Sequence, residues 1–138
     1  MGKLFLLVDD DMDDAELFQE ALNKVDTSIH FNHVLDGRKL FQYLSVQSPK
    51  PDIIFLDINL IDLSGWECLI QLKSHYDYEN IPVIMYSNSY ALNDHEMARQ
   101  MKALGLLTKP NTFSSLIEML QKICNAEVGE LEEVLKEI

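Results

Sequence analysis

The chain of 138 residues is 47% hydrophobic and 25% charged, which is an ordinary globular composition and gives enough length for one core. Its 23 acidic and 11 basic residues give a formal charge of −12. This charge argues against a nucleic-acid-binding or anionic-membrane surface, because phosphate contacts need Lys and Arg, and it favours cationic partners such as metal ions.

Two features bear on location and redox state. No apolar run approaches the roughly 18 residues of a membrane span, and the first residues lead directly into a predicted strand instead of a signal peptide. We therefore expect a cytoplasmic protein. Cys68 and Cys124 lie in apolar helical stretches without metal-ligand spacing, so we expect buried free thiols in a reducing compartment.

Taken in order, apolar runs of strand length alternate with segments whose apolar residues recur at helical spacing. The first run, Leu4–Val8, is apolar on both faces and leads into a series of aspartates. Asp11, Asp13 and Asp14 lie where the N-cap and first turn of the next helix are expected. The third run reaches a single carboxylate at Asp57. The predicted strands span 4–8, 29–34, 53–57, 81–86 and 105–108, and the predicted helices span 13–24, 40–46, 65–75, 93–104 and 113–124.

Five strand–helix pairs with short connections predict an α/β fold, a doubly wound parallel sheet covered by helices on both faces. We expect one domain over residues 1–126 and an acidic helical extension over residues 127–138. The extension carries an apolar stripe that must be buried somewhere. It packs on the domain as a continuation of the fifth helix, or it forms a dimer contact or a partner docking site. The stripe consists of Val128, Leu131, Val134, Leu135 and Ile138.

Polar side chains follow four of the five predicted strands. Asp9 and Asp10 follow the first, Asp57 the third, Ser87 the fourth and Lys109 the fifth. The carboxyl ends of parallel strands meet at one edge of a sheet, where ligands bind in open α/β folds, so we expect these side chains to lie close together. The second strand ends in apolar residues and is predicted to be an edge strand away from the site.

Three carboxylates held together repel one another and predict a small hard cation with oxygen ligands, Mg²⁺ or Mn²⁺. Such a metal keeps positions for water and for a phosphoryl oxygen. Lys109 and Ser87 are then suited to hold the other phosphoryl oxygens, one by charge and one by a hydrogen bond. Asp57, the most central carboxylate, is the predicted nucleophile and would form an aspartyl phosphate.

Together these motifs resemble the receiver domain of bacterial response regulators, which belong to two-component signalling. The resemblance covers residues 3–124 and implies a flavodoxin-like fold with the strand order 2-1-3-4-5 and five helices. It is carried by Leu6-Leu7-Val8-Asp9-Asp10, by Leu56-Asp57-Ile58-Asn59, by Gly65, by Ser87 after Pro82-Val83-Ile84-Met85-Tyr86, and by Lys109-Pro110.

The resemblance also implies a role for each site residue. Asp57 is implied as the phosphoacceptor, and Ser87 and Lys109 as the residues that respond to the phosphoryl group. The implied metal ligands are Asp9, Asp10, Asp57 and the backbone carbonyl of Asn59.

The implied function is that of a phosphorelay protein. It takes a phosphoryl group from a sensor histidine kinase or a histidine phosphotransfer protein and signals by altered binding to a downstream protein, or to a second copy of itself as a homodimer. The expected catalysis is its own phosphorylation and slow dephosphorylation, without turnover of a free substrate. The alternative is a degenerate receiver that acts as an interaction module independent of phosphorylation.

Two other protein classes share parts of this pattern. A phosphohydrolase of the haloacid-dehalogenase type needs a second Asp two residues after the nucleophile, where this chain has Asn59, which cannot act as an acid or base. A flavodoxin-like cofactor carrier needs hydrogen-bond donors after the first strand, and the aspartates there would repel a phosphate.

Three positions depart from the usual receiver pattern. The loop after the phosphorylated strand lacks the usual Pro, since Asn59 is followed by Leu60-Ile61-Asp62, and Asn88 stands where a smaller residue is common. Leu106 replaces the aromatic residue that usually swings inward on activation. We therefore expect the signal to pass through the loop at residues 88–92 towards the fourth helix, fifth strand and fifth helix.

Overall fold

The computed structural model describes residues 2–89 and 91–138. Its centre is a five-stranded parallel sheet in the order β2-β1-β3-β4-β5, which confirms the flavodoxin-like order implied by the resemblance. The strands are β1 Leu4–Val8, β2 His30–Val34, β3 Ile53–Leu56, β4 Val83–Ser87 and β5 Gly105–Thr108, and the helices in the described residues are α1 Met12–Val25, α2 Gly37–Val46, α3 Gly65–Ser74, α4 Leu92–Gln100, α5 Phe113–Asn125 and α6 Leu131–Lys136.

The inner strands are buried on both faces, as their continuous apolar runs predict. Side chains alternate along β1, so that Phe5 and Leu7 pack with α1 and α5, whereas Leu6 and Val8 pack with α2, α3 and α4. The sheet is therefore covered by helices on both faces, and the prediction of a doubly wound α/β fold is confirmed.

The strand register brings the ends of β1, β3 and β4 to one edge of the sheet. Val8 lies opposite Leu56, and Leu56 lies opposite Met85. One residue further along, the N–H of Asp57 donates to the carbonyl of Val8 at 3.0 Å, and the N–H of Asp9 donates to the carbonyl of Val34 at 3.1 Å. Hydrogen bonds to neighbouring strands therefore hold the backbones of Asp9 and Asp57 in place.

Helix α3 begins in direct contact with the end of β3. A Cβ atom added at Gly65 would overlap the carbonyl oxygen of Asp57, so the close approach of the two backbones requires glycine. The N–H of Gly65 donates to the carbonyl of Ile58 at 2.7 Å, and Ser64 caps the helix. These contacts hold the backbone that carries Asp57.

Helix α4 ends earlier than predicted. It ends at Gln100, and Lys102 adopts the left-handed conformation with φ of 72°. The N–H of Ala103 donates to the carbonyl of Ala98 at 2.9 Å and closes the helix end. The prediction of a helix to residue 104 was wrong because the apolar residues that continue the helical spacing belong to the turn into β5.

The C-terminal extension folds back on the domain as separate elements. Helix α5 ends at Asn125, and the next residue is extended before a 3₁₀ turn over Val128–Glu130 leads into α6. The prediction that the extension continues the fifth helix is therefore wrong. Leu131 and Leu135 are buried in the core, and Leu135 packs over Gly105 of β5. The domain boundary at residue 126 stays a prediction.

Both cysteines are free thiols, with Cys68 buried and Cys124 half-buried. Burial raises the pKa of Cys68 to about 12 and the pKa of Cys124 to about 11. Across residues 2–89 and 91–138, no helix combines the length and apolar content needed to cross a membrane.

Packing of α6 on the domain predicts a stability effect. Leu131 is 1% exposed, so Leu131→Ala should lower the free energy of unfolding by about 2–4 kcal/mol, as large-to-small core substitutions do. Val128 in the same extension is 50% exposed, and Val128→Ala should change the free energy of unfolding by less than about 0.5 kcal/mol. Urea unfolding measures both values. Equal effects of the two substitutions would contradict the packing of α6.

Candidate functional site

Three carboxylates meet at the carboxyl edge of the sheet. Asp9 and Asp10 follow β1, Asp57 follows β3, and one oxygen atom from each lies within 4.8 Å of the others. Asp9 and Asp57 are buried, and Asp10 is half-buried. The parallel register accounts for this cluster, because it aligns the ends of two adjacent strands.

The ammonium group of Lys109 lies beside this cluster. Its Nζ is 2.9 Å from Asp9 Oδ2 and 3.2 Å from Asp57 Oδ2. It also lies 5.5 Å from the ring centroid of Tyr86, within range of a cation–π interaction. The backbone N–H of Lys109 donates to the carbonyl of Ser87 at 2.7 Å. This bond ties the loop after β5 to the end of β4.

Burial and charge crowding shift the pKa values of the site. Burial raises the pKa of Asp9, hydrogen bonds from the Asp11 N–H and from Lys109 oppose this rise, and the charge of Asp57 adds to it. Burial would lower the pKa of Lys109, but its hydrogen bonds to Asp9 and Asp14 and the charge of Asp57 raise it overall. Lys109 therefore keeps its charge, whereas burial makes the ionisation of Asp9 more costly than it is in water.

Both side-chain oxygens of Asp57 accept hydrogen bonds. Oδ1 accepts the backbone N–H of Asn59 at 3.0 Å, and Oδ2 accepts Lys109 Nζ. The carboxylate is therefore held in one orientation. The contact described for Asn59 is made by its N–H, and the use of its carbonyl as a metal ligand stays a prediction.

Ser87 is the last residue of β4 and is buried. It lies opposite Thr108 of β5, at the same edge of the sheet as the carboxylates. Its predicted role towards a phosphoryl group stays a prediction.

The donor set at this edge fits a hard divalent cation. Asp9, Asp10 and Asp57 supply carboxylate oxygens, which Mg²⁺ and Mn²⁺ prefer as ligands. One lysine charge faces three carboxylates in this cluster, so negative charge remains for a metal ion to neutralise.

Two contacts at the site were not predicted. From the sequence, Asp14 is expected only in the first turn of α1, yet its Oδ2 accepts a hydrogen bond from Lys109 Nζ at 2.9 Å. Its only signal in the sequence is its place in the first turn of α1, three residues after the N-cap Asp11 and close to the end of β1. His33 of β2 donates from Nε2 to the carbonyl of Asp9 at 2.6 Å. The edge strand, expected to lie away from the site, therefore supports the Asp9 backbone.

An acidic cluster and a lysine at the carboxyl edge of a doubly wound sheet form the arrangement that the sequence motifs suggested. The sequence pattern of the response regulator receiver domain matches residues 5–121. The chain therefore belongs to the response regulator receiver domain family of two-component signalling.

Comparison with individual proteins agrees with this family. The response regulator Rcp1 of Synechocystis sp. is 34% identical over 127 residues, covering 88% of this chain and 86% of Rcp1. Chemotaxis protein CheV2 of Helicobacter pylori is 24% identical, and the match covers 87% of this chain but 38% of CheV2.

Two crystal structures of response regulators are also similar. The phosphorylated phytochrome response regulator RcpA has a TM-score of 0.81 at 30% identity, covering 89% of this chain and 91% of RcpA. The Mn²⁺-bound form of Rcp1 has a TM-score of 0.76 at 30% identity, covering 99% of this chain and 96% of that one.

The raised pKa of Asp9 predicts a pH-dependent stability change. Because the folded-state pKa lies above the unfolded value, the ionised carboxylate destabilises the fold above the folded pKa, and this destabilisation is lost as protons bind at lower pH. Without divalent cations, Asp9→Asn should therefore raise the free energy of unfolding at pH 7. The gain should shrink as the pH falls through the folded pKa.

Urea unfolding in EDTA, at pH 7 and at a series of lower pH values, measures this difference. A variant less stable than the parent protein at pH 7 would show that the ionised Asp9 stabilises the fold.

Proposed function

We propose that the chain is a phosphoacceptor in which Asp57 takes a phosphoryl group from a phosphohistidine donor, either a sensor histidine kinase or a histidine phosphotransfer protein. The proposal rests on the fixed orientation of the Asp57 carboxylate, whose two oxygens both accept hydrogen bonds. The carboxylate is oriented by Asn59 and Lys109 and lies beside two further carboxylates. A nucleophile fixed in one orientation next to a cation is suited to group transfer.

In the proposed step, a carboxylate oxygen of Asp57 forms a bond to phosphorus while the P–N bond to the donor imidazole breaks. The imidazole keeps the electron pair of that bond and takes a proton from water. Lys109, with Nζ 3.2 Å from Asp57 Oδ2, donates to one phosphoryl oxygen and Ser87 donates to another. Asn59 provides no general acid or base, so dephosphorylation is slow.

Asp9, Asp10, Asp57 and the carbonyl of Asn59 would hold Mg²⁺ or Mn²⁺ in this proposal. When bound, the ion neutralises charge on the carboxylates and on the phosphoryl oxygens. Two findings support it: the three carboxylates approach within 4.8 Å, and the similar protein Rcp1 has a Mn²⁺-bound form.

The proposed output is a changed affinity for another protein or for a second copy of the chain. Movement of Ser87 towards the phosphoryl group would shift the loop between β4 and α4. The contacts of Ser89 support this coupling, because its hydroxyl donates to Asp94 of α4 and its carbonyl accepts from Thr108 of β5 at 2.7 Å. One residue thus links the loop to two elements of the expected output surface.

The position of Leu106 favours signal transfer through the loop between β4 and α4 over transfer by the movement of an aromatic side chain. Leu106 is 4% exposed and packs in the core with Met85 and Ala98. It has no ring that could move between buried and exposed positions. Tyr90, which belongs to the loop expected to carry the signal, lies outside the described residues.

A bound metal should stabilise the fold by mass action. At a Mg²⁺ concentration ten times the Kd, the free energy of unfolding should rise by about 1.4 kcal/mol, seen as a higher melting temperature. Asp10→Asn should reduce this shift, whereas Asp13→Asn, with the same charge change in the exposed first turn of α1, should retain it. An unchanged melting curve of the parent protein in millimolar Mg²⁺ would exclude the metal site.

Phosphorylation at Asp57 is tested with acetyl phosphate and Mg²⁺, followed by intact-mass analysis. The parent protein should gain one phosphoryl group, and Asp57→Asn should gain none, because the amide is not a nucleophile. Lys109→Ala should reduce the labelled fraction, since a charge that neutralises the phosphoryl group is lost. Exposed Asp77 provides the control, and Asp77→Asn should label normally.

Label that persists in Asp57→Asn would place the acceptor at another residue. A parent protein that takes up no label from acetyl phosphate or from a phosphohistidine protein would favour the interaction module that is independent of phosphorylation.

A further inference from the structure

All three hydrogen-bond donors of the Lys109 ammonium are occupied. Nζ donates to Asp9 Oδ2 at 2.9 Å, to Asp14 Oδ2 at 2.9 Å and to Asp57 Oδ2 at 3.2 Å. A lysine ammonium has three donors and no more. Lys109 can therefore donate to a phosphoryl oxygen only after it releases one of these carboxylates.

The three partners differ in their access to water. The side chain of Asp9 is 0% exposed and that of Asp57 is 7% exposed, whereas that of Asp14 is 35% exposed. A buried carboxylate that loses its cation stays unpaired at low dielectric, but water can hydrate an exposed one. Release of Asp14 is therefore the least costly of the three.

The timing of transfer points to the same residue. While the phosphoryl group approaches, Asp57 is still an ionised carboxylate and keeps its attraction to Lys109. The Asp9 backbone is held by His33 and by the strand ladder, and Asp9 Oδ1 is bonded to the N–H of Asp11 at 2.9 Å. Asp14 belongs to the first turn of α1, at the exposed rim of the site.

We propose that Asp14 is a positioning residue that holds Lys109 in the resting site and is displaced from it by the incoming phosphoryl group. This inference rests on the proposed function. Asp14 competes with the phosphoryl oxygens for the same ammonium donor and adds a negative charge near them. It therefore weakens the binding of a phosphoryl group at Asp57.

The test is the affinity for beryllium fluoride, a phosphoryl mimic, measured by calorimetry at saturating Mg²⁺. Asp14→Asn removes the competing charge while keeping the shape, so binding should tighten about three- to tenfold, which is within the range for one typical net hydrogen bond. Asp14→Glu restores the charge and should return the affinity towards that of the parent protein.

Asp13→Asn is the matched control, because it removes one charge from the same helical turn and has no described contact with Lys109. It should bind beryllium fluoride within about twofold of the parent protein, a change of less than about 0.5 kcal/mol. If Asp14 only stabilised the fold, its substitution would lower the free energy of unfolding without tightening this binding. The free energy of unfolding is therefore measured on the same variants.

Equal affinities of Asp14→Asn and Asp13→Asn would overturn the inference and show that Lys109 exchanges another partner. Weaker binding by Asp14→Asn would also overturn it and show that Lys109 needs Asp14 for its placement. If the parent protein itself binds no beryllium fluoride in Mg²⁺, the proposed phosphoacceptor function fails, and this inference fails with it.

Discussion

The site depends on one ammonium group that is shared by carboxylates from three other elements. Lys109 follows β5, while Asp9 follows β1, Asp57 follows β3 and Asp14 lies in α1. Buried carboxylates without a cation would be strongly unfavourable, and a buried lysine without carboxylates would tend to lose its proton. Each charge therefore stabilises the burial of the others, and the charge excess of the carboxylates leaves a place for a divalent cation.

The parallel sheet makes this sharing possible. Asp9 and Lys109 are 100 residues apart in the chain, and the sheet brings them to the same edge because all five strands run in one direction. The glycine at residue 65 lets α3 start against the end of β3, so the backbone of Asp57 is confined on one side by a helix and on the other by β1. The central carboxylate is thus carried by a backbone that is held on both sides.

The carboxylate partners of Lys109 differ in their exposure to water. The partners of Lys109 that belong to strand ends are buried, whereas Asp14 is open to water. A similar division holds at the end of β4, where Ser87 is buried and Ser89, two residues later, bonds to both α4 and β5. In the proposed mechanism, a negative charge that binds at the buried centre changes contacts at the exposed rim, so the core stays closed.

Much of this protein was determined by its sequence alone. Continuous apolar runs predicted the inner strands, because only burial on both faces favours such runs, and the family resemblance supplied the strand order. The ends of three strands predicted that Asp9, Asp10, Asp57 and Lys109 would lie together, whereas a contact of the Ser87 side chain with them stays a prediction. The end of α4, the separate helix α6 and the contacts of Asp14 and His33 were decided by the tertiary structure. Periodicity reports which residues are buried, but the path of a turn and the reach of a side chain depend on neighbours that are distant in the chain.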